Sequence, residues 1–187
     1  MGKNAKLKKS RKEEVAIPPG DIKLDLGCGK SPSVGFDGVD ILDFGQKHKL
    51  DLRKTPWPWK DASVSEAYSS HFVEHLTGAE RIPFFNELYR VMKVGATARI
   101  ITPEWSHARA YGDPTHQWPP MSGWYPLYLN KGWRDINGPH VPYTCDFDFV
   151  VAVGWDQWLN VRADKEFPLA HYTNTVSDLI VTLTKKP

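Results

Sequence analysis

Cysteine is nearly absent from this 187-residue chain, which holds only Cys28 and Cys145. Two cysteines without a leader pattern exclude a disulfide-stapled scaffold and point to a reduced, cytoplasmic protein. No apolar run approaches the ~18 residues that a spanning helix needs, so no membrane partner is expected. Excess charge is also scarce, at +2 overall, and what exists is confined to one end. Residues 1–14 carry six Lys/Arg against two Glu, and the remainder carries 18 basic and 20 acidic residues. Residues 1–18 therefore read as a disordered basic tail on a nearly neutral body. A solvated terminus is the simpler reading of that tail; contact with nucleic acid or an acidic partner is the other.

Tryptophan and proline are plentiful, at eight and fifteen. They cluster in Pro56–Trp59 and Trp105–Pro142, which suggests a lid or pocket wall built locally. The length fits one domain, residues 19–187. Ile22–Leu26, Gly38–Ile41, His48–Leu52, Val64–Ser70 and Thr97–Thr102 read as strands, followed later by Phe147–Val153 and Val176–Thr184. A helix starts near Thr77, where Thr77 and Glu80 have capping-box spacing. Its expected buried face is Ile82, Phe85, Leu88, Tyr89 and Met92, and Gly95 suits a left-handed stop. Residues 103–145 read as irregular. Strands and crossovers in this order imply an α/β fold with a mostly parallel sheet, covered on both faces.

Such sheets bind ligands beyond the carboxyl ends of their strands. Asp25–Gly29, Asp40, Asp51–Leu52 and Ser69–His75 should therefore converge on one crevice. Gly27 and Gly29 flank Cys28 and let backbone approach a ligand closely. Ser31 stands where a dinucleotide fold wants a third glycine, and ten residues between Gly29 and Asp40 leave little room for a crossover helix. A pyrophosphate ligand is thus disfavoured. Asp40 can accept from two vicinal ribose hydroxyls, Asp51 from an adenine amino group, and Asp25 can face an ammonium. Each is also a common turn residue on its own.

The runs LDLGCG, GFDGVDI, LDLRKTPWPWKDASVSEAYSSHFVEHL and FFNELYRVMKVGATARIITPE resemble class I S-adenosylmethionine-dependent methyltransferases over about residues 22–104. The compact form found in bacteriophages and bacterial surface-sugar gene clusters is the nearest in flavour; were the chain phage-encoded, its compartment would be the host cytoplasm. The resemblance implies a Rossmann-like fold whose seven-stranded sheet has an antiparallel last strand, with residues 103–145 as an acceptor-side aromatic lid. It implies S-adenosylmethionine as cofactor, with Asp25, Gly27, Cys28 and Gly29 at the methionine moiety, Asp40 and Ile41 at the ribose, and Asp51 and Leu52 at the adenine. Ser69, Ser70 and His71 would line the site near the sulfur. Ser31, Glu66 and Val94-Gly95-Ala96 depart from the family pattern.

The implied acceptor is a small molecule or a glycan. There is no Asp/Asn-Pro-Pro-Tyr/Phe motif and no Pro-Cys nucleophile, so DNA base methylation is disfavoured. His75, His71 and His116 are the candidate general bases. His116 sits in a Tyr111–Gln117 stretch that resembles one found after the fifth strand in the compact subgroup. Trp105, Trp118, Trp124, Tyr125 and Trp133 surround it in sequence and could stack on a ring or form a minicore. Two rival readings stand beside methyl transfer. One is a non-catalytic cofactor-binding or phage accessory protein. The other is a zinc hydrolase using His71-Phe72-Val73-Glu74-His75, which needs a long helix that Ser69-Ser70 and Thr77-Gly78 would break. No metal is expected. Oligomeric state has no signature here.

Overall fold

The computed structural model describes residues 21–160 and 164–187, so the expected tail at 1–18 lies outside the described residues. The strands are β1 (Ile22–Leu26), β2 (Asp37–Asp40), β3 (His48–Lys49), β4 (Val64–Ser70), β5 (Met92–Pro103), β6 (Phe147–Trp155) and β7 (Val176–Lys185). They form one sheet in the order β3-β2-β1-β4-β5-β7-β6. From β3 to β5 every pairing is parallel. β7 runs antiparallel to both β5 and β6. The expected α/β class and reversed last strand are therefore present.

Burial explains which segments became strands. Leu24, Asp25 and Leu26 are consecutive and buried, as a parallel strand covered on both faces requires. On β7, Leu179, Val181 and Leu183 are buried at alternate positions, the period-2 signature of a strand with one inward face. β3 is shorter than expected: pairing stops at Lys49, and Leu50 then donates its N–H to the Asp40 carbonyl at 2.9 Å.

Helix α1 (Gly78–Val91) begins with the expected capping box: Thr77 Oγ1 accepts from the Glu80 N–H, and the Glu80 carboxylate accepts from the Thr77 N–H. Its buried apolar face is Phe84, Phe85, Leu88 and Val91, rotated from the one expected. Ile82 and Tyr89 are only half-buried, and Met92 belongs to β5. Apolar residues crowd this helix, so periodicity alone left two faces eligible. Gly95 does not end the helix either. Val64 pairs with Met92 and Glu66 with Thr97, so residues 93–96 bulge from the ladder, and Gly95 turns that excursion with φ +79°.

The two Trp/Pro clusters differ in character. Trp57 and Trp59 are core residues, packed edge-on to each other and, for Trp57, to Phe84, so that cluster is no pocket wall. Residues 103–145 contain three short helices, α2 (Arg109–Gly112), α3 (Tyr125–Leu129) and α4 (Lys131–Asn137), where irregular chain was expected. Pieces of one or two turns are too short to show helical periodicity. Two more, α5 (Gln157–Asn160) and α6 (Glu166–His171), lie between β6 and β7. Among the described residues no helix is long and apolar enough to cross a membrane.

Candidate active site

The parallel strands deliver their carboxyl ends to one edge of the sheet. After β1 the chain turns sharply, and the Gly27 and Cys28 amides both donate to the Val39 carbonyl at the end of β2, at 2.9 and 3.2 Å. Gly27 has φ +76°, and a Cβ there would come within 2.3 Å of the Phe72 ring. Two independent reasons thus demand glycine. Gly27→Ala is expected to cost about 2–3 kcal/mol through left-handed strain and overpacking. Thermal melts would check this, and adding Phe72→Ala should not rescue the variant, because the Phe72 Cβ itself lies 2.5 Å from the added methyl.

Asp40 closes the loop. Its Oδ2 accepts from the Gly29 N–H and its Oδ1 from the Leu42 N–H, both at 2.9 Å. Each oxygen keeps a further acceptor direction free for a ligand hydroxyl. Asp25 is buried and accepts from the Ser33 N–H at 2.7 Å. Burial raises its pKa, against the opposing pull of the Ser33 bonds. The Cys28 thiol is likewise pushed up, first by burial and then by the Asp25 and Asp40 charges, which argues against a thiolate nucleophile. Asp51 is gripped by Arg53 through both oxygens, at 2.8 and 3.1 Å, and these hydrogen bonds lower its pKa.

A cleft of about 510 Å³ opens at these strand ends, lined by Gly27, Asp40, Ile41, Leu42, Asp51 and Leu52, with Leu50, Arg53, Phe72, His75, Leu76 and Thr115 completing the wall. Ile41 and Leu42 expose apolar surface here, as a planar apolar ring would require. A second cavity of about 520 Å³ adjoins it and shares His75. Its walls are His71, Glu74, His75, Pro103, Arg109, Gly112, Asp113, Pro114 and His116. The structure thus brings the three candidate bases to one cavity.

The route from β4 to α1 explains how. β4 ends at Ser70, and His71 takes the left-handed conformation at φ +54°. A single 3-10 turn, Val73–His75, follows. The long helix that a zinc-hydrolase reading of His71–His75 requires is therefore absent from this segment. Glu74 points inward and is buried; its Oε1 accepts from His71 Nδ1 at 3.2 Å. His71 Nε2 lies 3.6 Å from Asp178, which also pairs with Arg109 at 2.9 Å. His75 meets His116 edge-on with ring centroids 4.8 Å apart.

Ser69 behaves differently from the expectation that it lines the site. It is fully buried, and its hydroxyl donates to the Leu26 carbonyl at 2.8 Å, tying β4 to β1. Asp25, Cys28, Gly29 and Ser70 do not reach the walls of either cavity. Sequence reasoning missed Arg81, which is buried and donates to the Val73, Gln117 and Pro119 carbonyls at 3.4, 3.3 and 2.6 Å. With the Gln117 N–H donating to the Glu74 carbonyl at 2.8 Å, it fastens the segment after β5 to the 3-10 turn. It also missed Thr115 and Asp113, described below. The 103–145 segment supplies walls to both cavities, while Trp105, Trp118 and Trp124 stay largely exposed.

No protein-family model matches the chain, and no curated protein matches its sequence significantly. Solved structures do. An S-adenosylmethionine-dependent methyltransferase from Archaeoglobus fulgidus superposes with a TM-score of 0.63 at 20% identity, over 89% of this chain and 87% of that one. Phosphoethanolamine N-methyltransferase 2 of Haemonchus contortus, in complex with S-adenosyl-L-methionine, gives 0.50 at 14% identity over 93% of this chain; the chain spans half the length of that enzyme. A geranyl diphosphate methyltransferase in complex with the same cofactor gives 0.50 at 15% identity, over 90% of this chain and 79% of that one. The fold is thus the Rossmann-like fold of class I S-adenosylmethionine-dependent methyltransferases.

Proposed function

We propose that the chain is an S-adenosylmethionine-dependent methyltransferase acting on a small-molecule or glycan hydroxyl. The observation that carries this reading is the pair of adjoining cavities with His75 in their common wall. One cavity has the acids and apolar surface for a nucleoside; the other has imidazoles and Arg109 for an acceptor. The free acceptor directions of Asp40 and the exposed Ile41 and Leu42 fit the cofactor's shape and polarity. The Haemonchus enzyme and the geranyl diphosphate enzyme act on small molecules by name, which supports a small-molecule acceptor and leaves the accepting atom open.

In this reading Asp40 receives the ribose hydroxyls, with Ile41 beside it. Asp51 and Leu52 take the adenine. Asp25, Gly27, Cys28 and Gly29 shape the methionine end, Asp25 and Cys28 from behind the loop. His71 borders the sulfur; Ser70, outside both cavity walls, does not. When bound, the cofactor supplies a methyl group on a positively charged sulfur. The protein's task is alignment, which can supply several kcal/mol, up to ~7–11 at best. An imidazole Nε2 of His75 or His116 would receive the proton that a hydroxyl acceptor loses on methylation.

Asp40→Ala is expected to weaken S-adenosylmethionine binding by about 1.5–3 kcal/mol, because hydrogen bonds to a charged group are lost. Titration calorimetry on a variant that still melts cooperatively tests this. Unchanged affinity would remove Asp40 from the ribose site, and no affinity in the parent chain would remove the whole reading. Binding without turnover across hydroxyl acceptors would favour a non-catalytic binding module.

A further inference from the structure

The geometry points to a transition-metal site built from Glu74, His75 and His116. One carboxylate oxygen and one nitrogen from each ring lie within 4.8 Å of one another. Glu74 Oε2 is buried and has no hydrogen-bond partner. An unpartnered carboxylate oxygen with so little access to water is costly unless something positive faces it.

The outer hydrogen bonds orient all three groups. The Thr115 hydroxyl donates to Asp113 Oδ1 at 2.6 Å, so its oxygen is left to accept from His75 Nδ1 at 2.9 Å. That fixes the proton on Nδ1 and leaves the lone pair on Nε2. His116 Nδ1 donates to the Ala110 carbonyl at 3.2 Å, with the same result. Glu74 Oε1 is held by His71, which leaves the buried Oε2 as the free donor. Each ligand is therefore secured on its far side by a carbonyl, a hydroxyl or an imidazole, as metal ligands are.

Two imidazoles and one carboxylate suit a first-row divalent ion such as Zn²⁺, Co²⁺ or Fe²⁺; Mg²⁺ and Ca²⁺ prefer all-oxygen shells. Tetrahedral bonds of about 2.1 Å put ligand atoms ~3.4 Å apart, so modest closure of the rings completes the site. Its remaining positions face the cavity that holds Arg109 and suit an acceptor bearing hydroxyl, carboxylate or phosphate oxygens. That last clause rests on the methyltransferase reading; the metal site does not.

Co²⁺ titration of the untagged protein, followed by visible absorption, tests the site. The expected result is one saturable site with d–d bands that Zn²⁺ displaces. Glu74→Gln and His116→Ala should each weaken it at least about 100-fold, and Thr115→Val, which frees the His75 ring, about 10–100-fold. His171→Ala, which removes an exposed ring stacked on Phe167, should change nothing. His116 is on a loop, so its variant keeps the test informative should Glu74→Gln unfold. Absence of saturable binding, or binding that survives His116→Ala, would overturn the proposal. Calorimetry with S-adenosylmethionine on the same samples separates the two readings, since either ligand can bind while the other fails.

Discussion

His116→Ala is expected to lower turnover by about 10²–10⁴ with cofactor affinity nearly intact. The ring borders the cavity proposed for the acceptor and does not line the cleft proposed for the nucleoside. Its Nδ1 is committed to the Ala110 carbonyl, so its function must reside at Nε2, which is where a proton or a metal would be taken. Steady-state kinetics against pH distinguish the uses. Direct proton transfer to His116 predicts a rate whose dependence on a general base is lost in the variant. A shaping role predicts a raised acceptor KM with the profile unchanged. Activity that falls on chelation and returns with Co²⁺ or Zn²⁺ belongs to the metal reading. Normal turnover in the variant would exclude His116 from the reaction.

Arg81→Met is expected to destabilise the protein by about 3–5 kcal/mol, since three carbonyls lose their hydrogen bonds to a buried charged group. The three carbonyls that Arg81 serves belong to two separate stretches, the 3-10 turn and residues 117–119. Met retains much of the stem's packing, so what is lost is chiefly hydrogen bonding, at about 1.5–3 kcal/mol for each good bond to a charged group. The 2.6 Å bond to Pro119 dominates; the two longer ones contribute less. Because the damage falls on the hinge between wall and turn, acceptor KM should rise more than cofactor Kd. Denaturant unfolding with both binding measurements checks this. A loss below about 1 kcal/mol would show that water replaces the guanidinium without penalty.

The sheet was legible because its order is encoded locally. IKLDL is an apolar run that needs covering on both faces, and VSDLIVTLT alternates as a strand with one inward face. Thr77 and Glu80 announce a helix start three residues apart. The site was legible only in part. Asp40 could be read as a turn residue or as a ligand; the structure shows its oxygens binding two amides, with acceptor directions to spare. Ser69 could not be placed, because its partner Leu26 is 43 residues away and a buried hydroxyl looks like any other in sequence. Arg81 carried no signal in the sequence, since nothing local reveals the carbonyls 36 and 38 residues downstream. Glu74, His75 and His116 were each visible, but their meeting depends on a 3-10 turn and on the path of the chain after β5.

His75 and Thr115 stand between two chambers, the ring facing both and the hydroxyl holding it upright. A party wall cannot be moved for one tenant alone. If an occupant of the acceptor chamber sharpens the position of that ring, it changes the affinity of the nucleoside chamber by some factor, and linkage requires the reverse effect to be equal in size. The order in which the two ligands arrive would then matter to the rate and not to the final affinity of the ternary complex.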